Sequence, residues 1–519
     1  MTGCYYLTTP IYYVNDDPHI GHAYTTLACD VLARFKRLDG FDVKLLTGTD
    51  EHGQKVEKSA SIAGIDPKAF TDSVSQNFQN LLEVMKFSND DFIRTTEDRH
   101  IQAAQGIWRR LQERDEIYLD AYSGWYAVRD EAFYAESELI ISPGGIKTAP
   151  SGADVEWVEE PSYFFRLSAW QDRLLDFYDN NPEFIMPETR RNEVISFVSG
   201  GLQDLSVSRT TFKWGIPVPG DDDHIMYVWL DALTNYVTSI GFPDIESDEY
   251  LKYWPADLHM VGKDILRFHA VYWPAFLMAA GLEPPKRIFA HGWWTNEGKK
   301  ISKSIGNVID PIELVKKYGL DQVRYFLMRE VPFGNDGDFS SRAMISRMNG
   351  ELANDYGNLV QRVLSMIFKN CGGIVPSPGS LTEADEELLN NAQGLLHTNR
   401  SSIDLQAFHV VLEEIWTVIR CANVYVDAQA PWKLAKEDKN RMETVLYILG
   451  ETIRCLALLT QPFMPDSSGK ILDQLAIDEN SRTFEFLSSD HSLVSGSVLP
   501  KPLGIFPRFQ ENEDVEEVK

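Results

Sequence analysis

The sequence predicts an α/β protein: a doubly wound parallel sheet, an α+β domain inserted into it, and an all-α helical bundle after it. Three observations predict this. The first fifty residues read as strand, helix, strand. Residues 116–225 carry short β-branched and aromatic runs between turns such as SPGG and GIPVPGDDD. From about 345 to 475, apolar residues recur three and four apart, the spacing of packed helices.

Each element has its own signal. CYYLTTPIYYV, residues 4–14, is β-branched and aromatic and reads as one buried strand. NDDP is a turn. HIGHAYTTLACDVLARFKRL has helical apolar spacing and stops at Asp39-Gly40. FDVKLLTGTDEHG is a second apolar strand running into a polar loop. Parallel strands joined by a helix bind ligands outside their carboxyl ends, so the 15–22 loop and Asp50 belong to that edge. Residues 54–115 read as helical. Strands return at DLHMVGKD and RIFAHGWWT. GGIVPSPGS, 372–380, is a linker inside the helical region. The expected domains are therefore 1–115 with 226–344, a Rossmann-like catalytic domain; 116–225, an inserted connective domain; 345–510, a helical domain; and 511–519, an acidic tail.

Composition bounds the function. The chain has 519 residues, enough for two to four domains. Its net charge of −28 and pI of about 4.8 oppose general coating of nucleic acid, though not a local basic patch. No apolar run is long enough to span a membrane, and MTGCYYLTTPIYY lacks the basic start and cleavage site of a signal peptide. Cys4, Cys29, Cys371, Cys421 and Cys455 never form a C-x-x-C pair and read as reduced thiols. A cytoplasmic protein that binds neither membrane nor DNA is expected.

Two stretches carry chemistry. In DDPHIGHAYTT, His19 and His22 are three apart at a helix start, with Gly21 between them. Alone, this stretch leaves three readings open: metal ligation, phosphate binding, or two surface histidines. Asp16, Asp17 and Asp30 do not complete a metal-ligand pattern. A helix N-terminus attracts anions, and a glycine admits a base or phosphate close to the backbone. The second stretch, GKKISKSIGN at 298–307, is a glycine- and serine-rich loop with three lysines after a strand. It suits closure over a polyphosphate, with Lys303 and Lys300 neutralising charge on a leaving pyrophosphate.

H-I-G-H early and K-I-S-K-S late resemble the two signatures of class I aminoacyl-tRNA synthetases, with Ile301 where the family form K-M-S-K-S has methionine. The surrounding text resembles methionyl-tRNA synthetases: TTPIYYVNDDPHIGHAYT, LTGTDEHGQKV, EPSYFFRLS, RRNEVISFV, YVWLDALTNY, PADLHMVGKDILRFHAVYWPAFL, AHGWWT and EVPFGNDGDFS, with NDYGNLVQR and AQAPW in the helical third. The resemblance implies a two-step reaction. L-Methionine and ATP, carrying Mg2+, give methionyl-adenylate and pyrophosphate; the methionyl group then passes to the 3′ end of initiator or elongator tRNA(Met).

It also implies roles. His19, His22 and Lys303 would meet the ATP phosphates, with Gly21 admitting the adenine; Gly262 and Asp264 would meet the ribose. Asp50 would hold the methionine ammonium, supported by Arg209. Pro10, Ile11, Tyr13, Trp229, Ala232, Tyr236, Ile265 and His269 would line the side-chain pocket, although the spacing of Trp229, Leu233 and Tyr236 also fits helix core. An aromatic pocket suits a thioether, since sulfur–aromatic contacts are worth roughly 0.3–1.5 kcal/mol each. Asn358 and Arg362, one helical turn apart, and Trp432 would read the anticodon.

The chain departs from relatives whose inserted domain carries C-x-x-C pairs for zinc: Ala127 and Asp130 stand where the first pair would be. A zinc-free insertion is expected. With no dimer-forming domain expected after the helical one, so is a monomer. A synthetase for another apolar amino acid, a nucleotidylyltransferase and a non-catalytic RNA-binding protein are the alternatives. The modest insertion, the Asn358–Arg362–Trp432 set and the intact His19, His22 and Lys303 argue against each in turn.

Overall fold

The computed structural model describes residues 3–510, except Asp16, Glu131, Ala135, Pro143 and residues 302–305; Lys303 and the acidic tail lie outside the described residues. Two compact units emerge: Cys4–Pro18 with Val43–His291, and His19–Asp42 with the chain from Gly292 on.

The first unit is built on a seven-stranded sheet. Its order is Ile185–Met186, Ile288–His291, Leu258–Gly262, Cys4–Thr8, Asp42–Asp50, Tyr12–Tyr13, with Asp91–Arg94 also on Asp42–Asp50. Leu7 pairs with Leu258, His259 with Ile288, Tyr13 with Asp50 and Gly48 with Ile93, all in parallel. Parallel strands are covered on both faces and so read as continuous apolar runs; in Leu258–Gly262 every residue but the glycine is buried. The chain adds strands on one side of Cys4–Thr8, then returns to lay Leu258–Gly262 on its other side. That reversal opens a crevice at the carboxyl ends of the two strands. Pro10 and Ile11 follow one of them, Lys263 and Asp264 the other.

Two segments depart from the sequence reading. The 4–14 run is not one strand but Cys4–Thr8 and Tyr12–Tyr13, because Pro10 has no N–H to give to a ladder. Residues 54–115 are not all helical. Asp91–Arg94 is a strand between the helices Pro67–Val84 and Asp98–Glu113. It reaches its partner because Gly48 has no side chain: a Cβ there would lie 2.0 Å from the Ile93 carbonyl oxygen.

Within residues 116–225, Ile117–Ala127 and Glu156–Phe165 form a long antiparallel pair, flanked by Leu205–Ser206 and Ala132–Tyr134. At its far end, Ala127–Asp130 and Ala149–Gly152 each close as a turn, the N–H of the last residue donating to the carbonyl of the first (3.1 and 2.8 Å). Ala127, Ala149 and Ala153 pack together, and the Tyr134 hydroxyl donates to Asp130 (2.9 Å).

The second unit contains the helix Ile20–Leu38, which is buried almost all round. It stops where Gly40 takes φ 87°, and the Phe41 N–H donates to Lys36 O (2.9 Å). Asp30 on this helix is fully buried against Arg324 (2.7 Å), which also donates to the carbonyls of Pro462 and Phe463. A three-stranded sheet of Trp294–Asn296, Lys299–Lys300 and Gly337–Phe339 precedes the helical region. There Glu383–Asp404, Phe408–Gln429 and Lys439–Thr460 pack on one another, with Trp416, Leu449 and Ile453 fully buried.

Candidate active site

The first unit contains the residues assigned to methionine, and contacts join two groups of them. Asp50 ends its strand, is 7% exposed, and is in register with Tyr13. Trp229 and Ala232 lie one turn apart on the helix Val228–Leu233. The Trp229 ring stacks on Phe268 (3.8 Å between centroids, 5°) and meets His269 edge-on at 6.0 Å. Tyr236 and His269 share a hydrogen bond of 2.6 Å, and His269 Nδ1 lies 2.9 Å from the Ile265 carbonyl. A carbonyl only accepts, so Nδ1 carries the proton and Nε2 accepts from the Tyr236 hydroxyl. Burial pushes His269 down to about 4, so this ring is neutral. Phe268 was not among the residues expected here.

Gly262 and Asp264 sit together at the carboxyl end of Leu258–Gly262. A Cβ on Gly262 would be 2.6 Å from Asp264 Oδ1, so the glycine gives that carboxylate its place. Arg209 is buried, donates to Ser206 Oγ (2.8 Å) and Ser208 O (2.6 Å), and lies over the Tyr227 ring at 4.6 Å. Sequence reasoning missed His52, His100 and Asp231. His52 Nδ1 and His100 Nε2 each lie 2.7 Å from the buried Asp231 carboxylate. Burial opposes its charge, but the two histidines outweigh burial and hold the carboxyl below its usual range. A carboxylate inside the apolar run WLDAL was the available signal, since a buried charge requires partners.

The second unit explains the paired histidines of H-I-G-H. His19 is the N-cap of Ile20–Leu38. Its Nδ1 accepts from the Gly21 N–H, and His22 Nδ1 accepts from the His19 N–H, both at 3.1 Å. The rings stack at 3.8 Å. Each imidazole therefore satisfies an end-of-helix donor with one nitrogen. In the neutral ring this makes Nε2 the N–H donor. Burial, and then the neighbouring His19, hold His22 well below the ordinary histidine range. Gly21 has a local reason too: a Cβ would lie 2.9 Å from His19 Cε1 and displace the cap.

The chain that follows the lysine loop meets this same helix end. The Ile20 N–H donates to the Ile309 carbonyl (3.1 Å), three residues beyond Gly306. Asn307 Nδ2 donates to Lys300 O (3.1 Å), so the flanks of the loop are tied together. Lys300 is exposed on its short strand.

In the helical region Arg362 and Trp432 are brought together. The guanidinium lies over the indole at 5.6 Å and pairs with Asp427 (2.9 Å). Trp432 is 44% exposed and follows Ala430, whose φ of 44° turns the chain into the helix Pro431–Glu437. Asn358 is exposed one turn before Arg362 on Asn358–Asn370.

A switch-point sheet, a helix end capped by the two histidines of H-I-G-H and a helical region with an exposed aromatic–guanidinium pair fit the class I aminoacyl-tRNA synthetases that the sequence resembles. The comparisons narrow this. A family profile described as tRNA synthetases class I (M) matches residues 5–364, and one described as the anticodon binding domain of methionyl tRNA ligase matches residues 375–519. A methionine–tRNA ligase of Mesorhizobium japonicum is 56% identical over 507 residues, covering 98% of each chain. One of Rickettsia bellii is 56% identical over 514 residues, covering 98% of this chain and 100% of its own. The structure of Mycobacterium tuberculosis methionyl-tRNA synthetase in complex with methionyl-adenylate matches with a TM-score of 0.96 at 54% identity, covering 98% of this chain and 100% of that one. The chain belongs to the methionyl-tRNA synthetase family.

Proposed function

We propose that three sets of residues serve the three substrates of the family's reaction, the ATP-dependent joining of methionine to tRNA. A methionine carboxylate oxygen attacks the α-phosphorus of ATP and pyrophosphate leaves. A terminal ribose hydroxyl of tRNA(Met), initiator or elongator, then attacks the carbonyl carbon of the adenylate and AMP leaves. Little acid–base help is needed. Positioning and charge stabilisation carry the chemistry.

Asp50 holds the ammonium, and Arg209 supports that end. Pro10, Ile11, Tyr13, Trp229, Ala232, Tyr236, Ile265 and His269 receive the side chain. Gly262 and Asp264 take the ribose. His19 and His22 offer Nε2–H donors to the phosphates beside a helix N-terminus, Gly21 admits the base, and Lys300 and Lys303 neutralise the departing pyrophosphate. ATP brings Mg2+ on its own phosphates. Asn358, Arg362 and Trp432 read the anticodon, the indole offering a face to a splayed base. The reading includes a zinc-free insertion: Ala127 and Asp130 offer no soft donor pair, and Asp130 is occupied by Tyr134. A cytoplasmic monomer completes it.

The observation that carries the phosphate assignment is the reciprocal histidine cap whose helix is bonded, through Ile20 and Ile309, to the chain leaving the lysine loop. Methionine-dependent ATP–pyrophosphate exchange tests it. Lys303→Ala should slow exchange by roughly 10²–10³, the cost of losing such a stabiliser. An unchanged rate would remove Lys303 from the mechanism.

A further inference from the structure

The turn after Asp50 is held from two directions. Glu51, fully buried, accepts from Arg94 Nε (2.6 Å) and Nη2 (3.0 Å) and from the Thr49 hydroxyl (2.9 Å). His52 reaches the opposite way, to Asp231 Oδ2 at 2.7 Å, across 179 residues of sequence. The other Asp231 oxygen lies 2.7 Å from His100 Nε2, and His100 Nδ1 lies 3.2 Å from the Thr238 hydroxyl. Asp231 is 0% exposed.

Its place on the helix matters. Asp231 stands between Trp229 and Ala232 on Val228–Leu233. At 3.6 residues per turn it projects about 200° round from Trp229. Trp229 is partly exposed while the carboxylate is sealed inside. Burying a carboxylate is unfavourable unless it is paired, and an apolar residue of similar size often packs such a position at less cost. No step of the chemistry uses Asp231. Its bond to His52 ties the turn carrying Asp50 to the helix carrying Trp229 and Ala232, two segments with no short covalent path between them, and its bond to His100 anchors that helix on Asp98–Glu113.

We propose that Asp231 is a positioning residue: shared between His52 and His100, its carboxylate fixes the spacing from Asp50 to the side-chain pocket and so sets the length of amino acid that is accepted. The proposal rests on the assignment of Asp50 to the ammonium and Trp229 to the side chain. Displacement by about an ångström at a distance from the chemistry is enough to cost on the order of 10²-fold, and a single methylene is discriminated by roughly 10–200-fold. Loosening the tie reduces that discrimination before it touches the nucleotide.

The test is ATP–pyrophosphate exchange with methionine and with ethionine, one methylene longer, in the parent, Asp231→Asn and His52→Ala. His52→Ala leaves the Asp231–His100 bond in place and serves if Asp231→Asn does not fold. In both variants the preference for methionine over ethionine should fall about tenfold, with a higher KM for methionine and a KM for ATP within about twofold of the parent. An unchanged preference overturns the proposal. So does an equal loss for both amino acids and ATP alongside a lower melting temperature, which marks a purely structural role. Asp50→Asn is measured in parallel. If its methionine KM is unchanged, the site assignment fails and this proposal with it; if Asp50→Asn is crippled while the other two keep their preference, the proposal alone fails.

Discussion

His22, His259 and His269 are each held below the ordinary histidine range, chiefly by burial. For His269 the value falls from 6.5 to about 4. A histidine kept neutral in the fold contributes stability that is fully present above about 6.5. It is lost as pH falls toward 4, because the unfolded chain takes up a proton that the fold refuses. For His269 this amounts to on the order of 3 kcal/mol at pH 4. The melting temperature should therefore drop between pH 6.5 and 4, and less steeply in His269→Gln. Parallel slopes would show that His269 is not the buried neutral group described. At this scale the sequence located residues better than it explained them. H-I-G-H stood out as a paired-histidine motif at a helix start. That both rings accept from backbone N–H groups at the one helix end did not, because a cap depends on ring orientation. His52 and His100 stayed hidden because their partner, Asp231, is more than a hundred residues from either.

At the scale of elements, Trp432 sits at the start of a seven-residue helix, reached through a left-handed Ala430. Base–aromatic stacking is worth roughly 1–3 kcal/mol per base. Trp432→Ala should weaken tRNA charging by about ten- to a hundredfold on that basis and leave methionine-dependent exchange unchanged. Equal loss in both assays would mean that the substitution disturbs the fold. Long periodic elements were legible: Ile20–Leu38 begins and ends where its cap and Gly40 place it. Short ones were not. Asp91–Arg94 has four residues, too few for a period, and exists as a strand because Gly48 lets it approach. The break at Pro10 was legible in principle, since proline cannot donate to a ladder, but the aromatic run on either side concealed it.

For the molecule as a whole, the α/β sheet followed by a helical region was readable from period alone. The order of strands was not, because pairing across hundreds of residues leaves no local trace; that Leu258–Gly262 lies beside Cys4–Thr8 is a tertiary fact. The turns at Ala127–Asp130 and Ala149–Gly152 carry a small alanine core, and among the described residues no group of three His, Cys, Asp or Glu is placed to hold a metal ion. Metal analysis of the purified protein should find no stoichiometric zinc; one zinc per chain would contradict the reading of the insertion. The central claim is that this chain activates methionine. ATP–pyrophosphate exchange with each of the twenty amino acids, without tRNA, tests it most directly. Exchange driven by methionine alone is the predicted result. Exchange driven by a different amino acid, or by none, would contradict it.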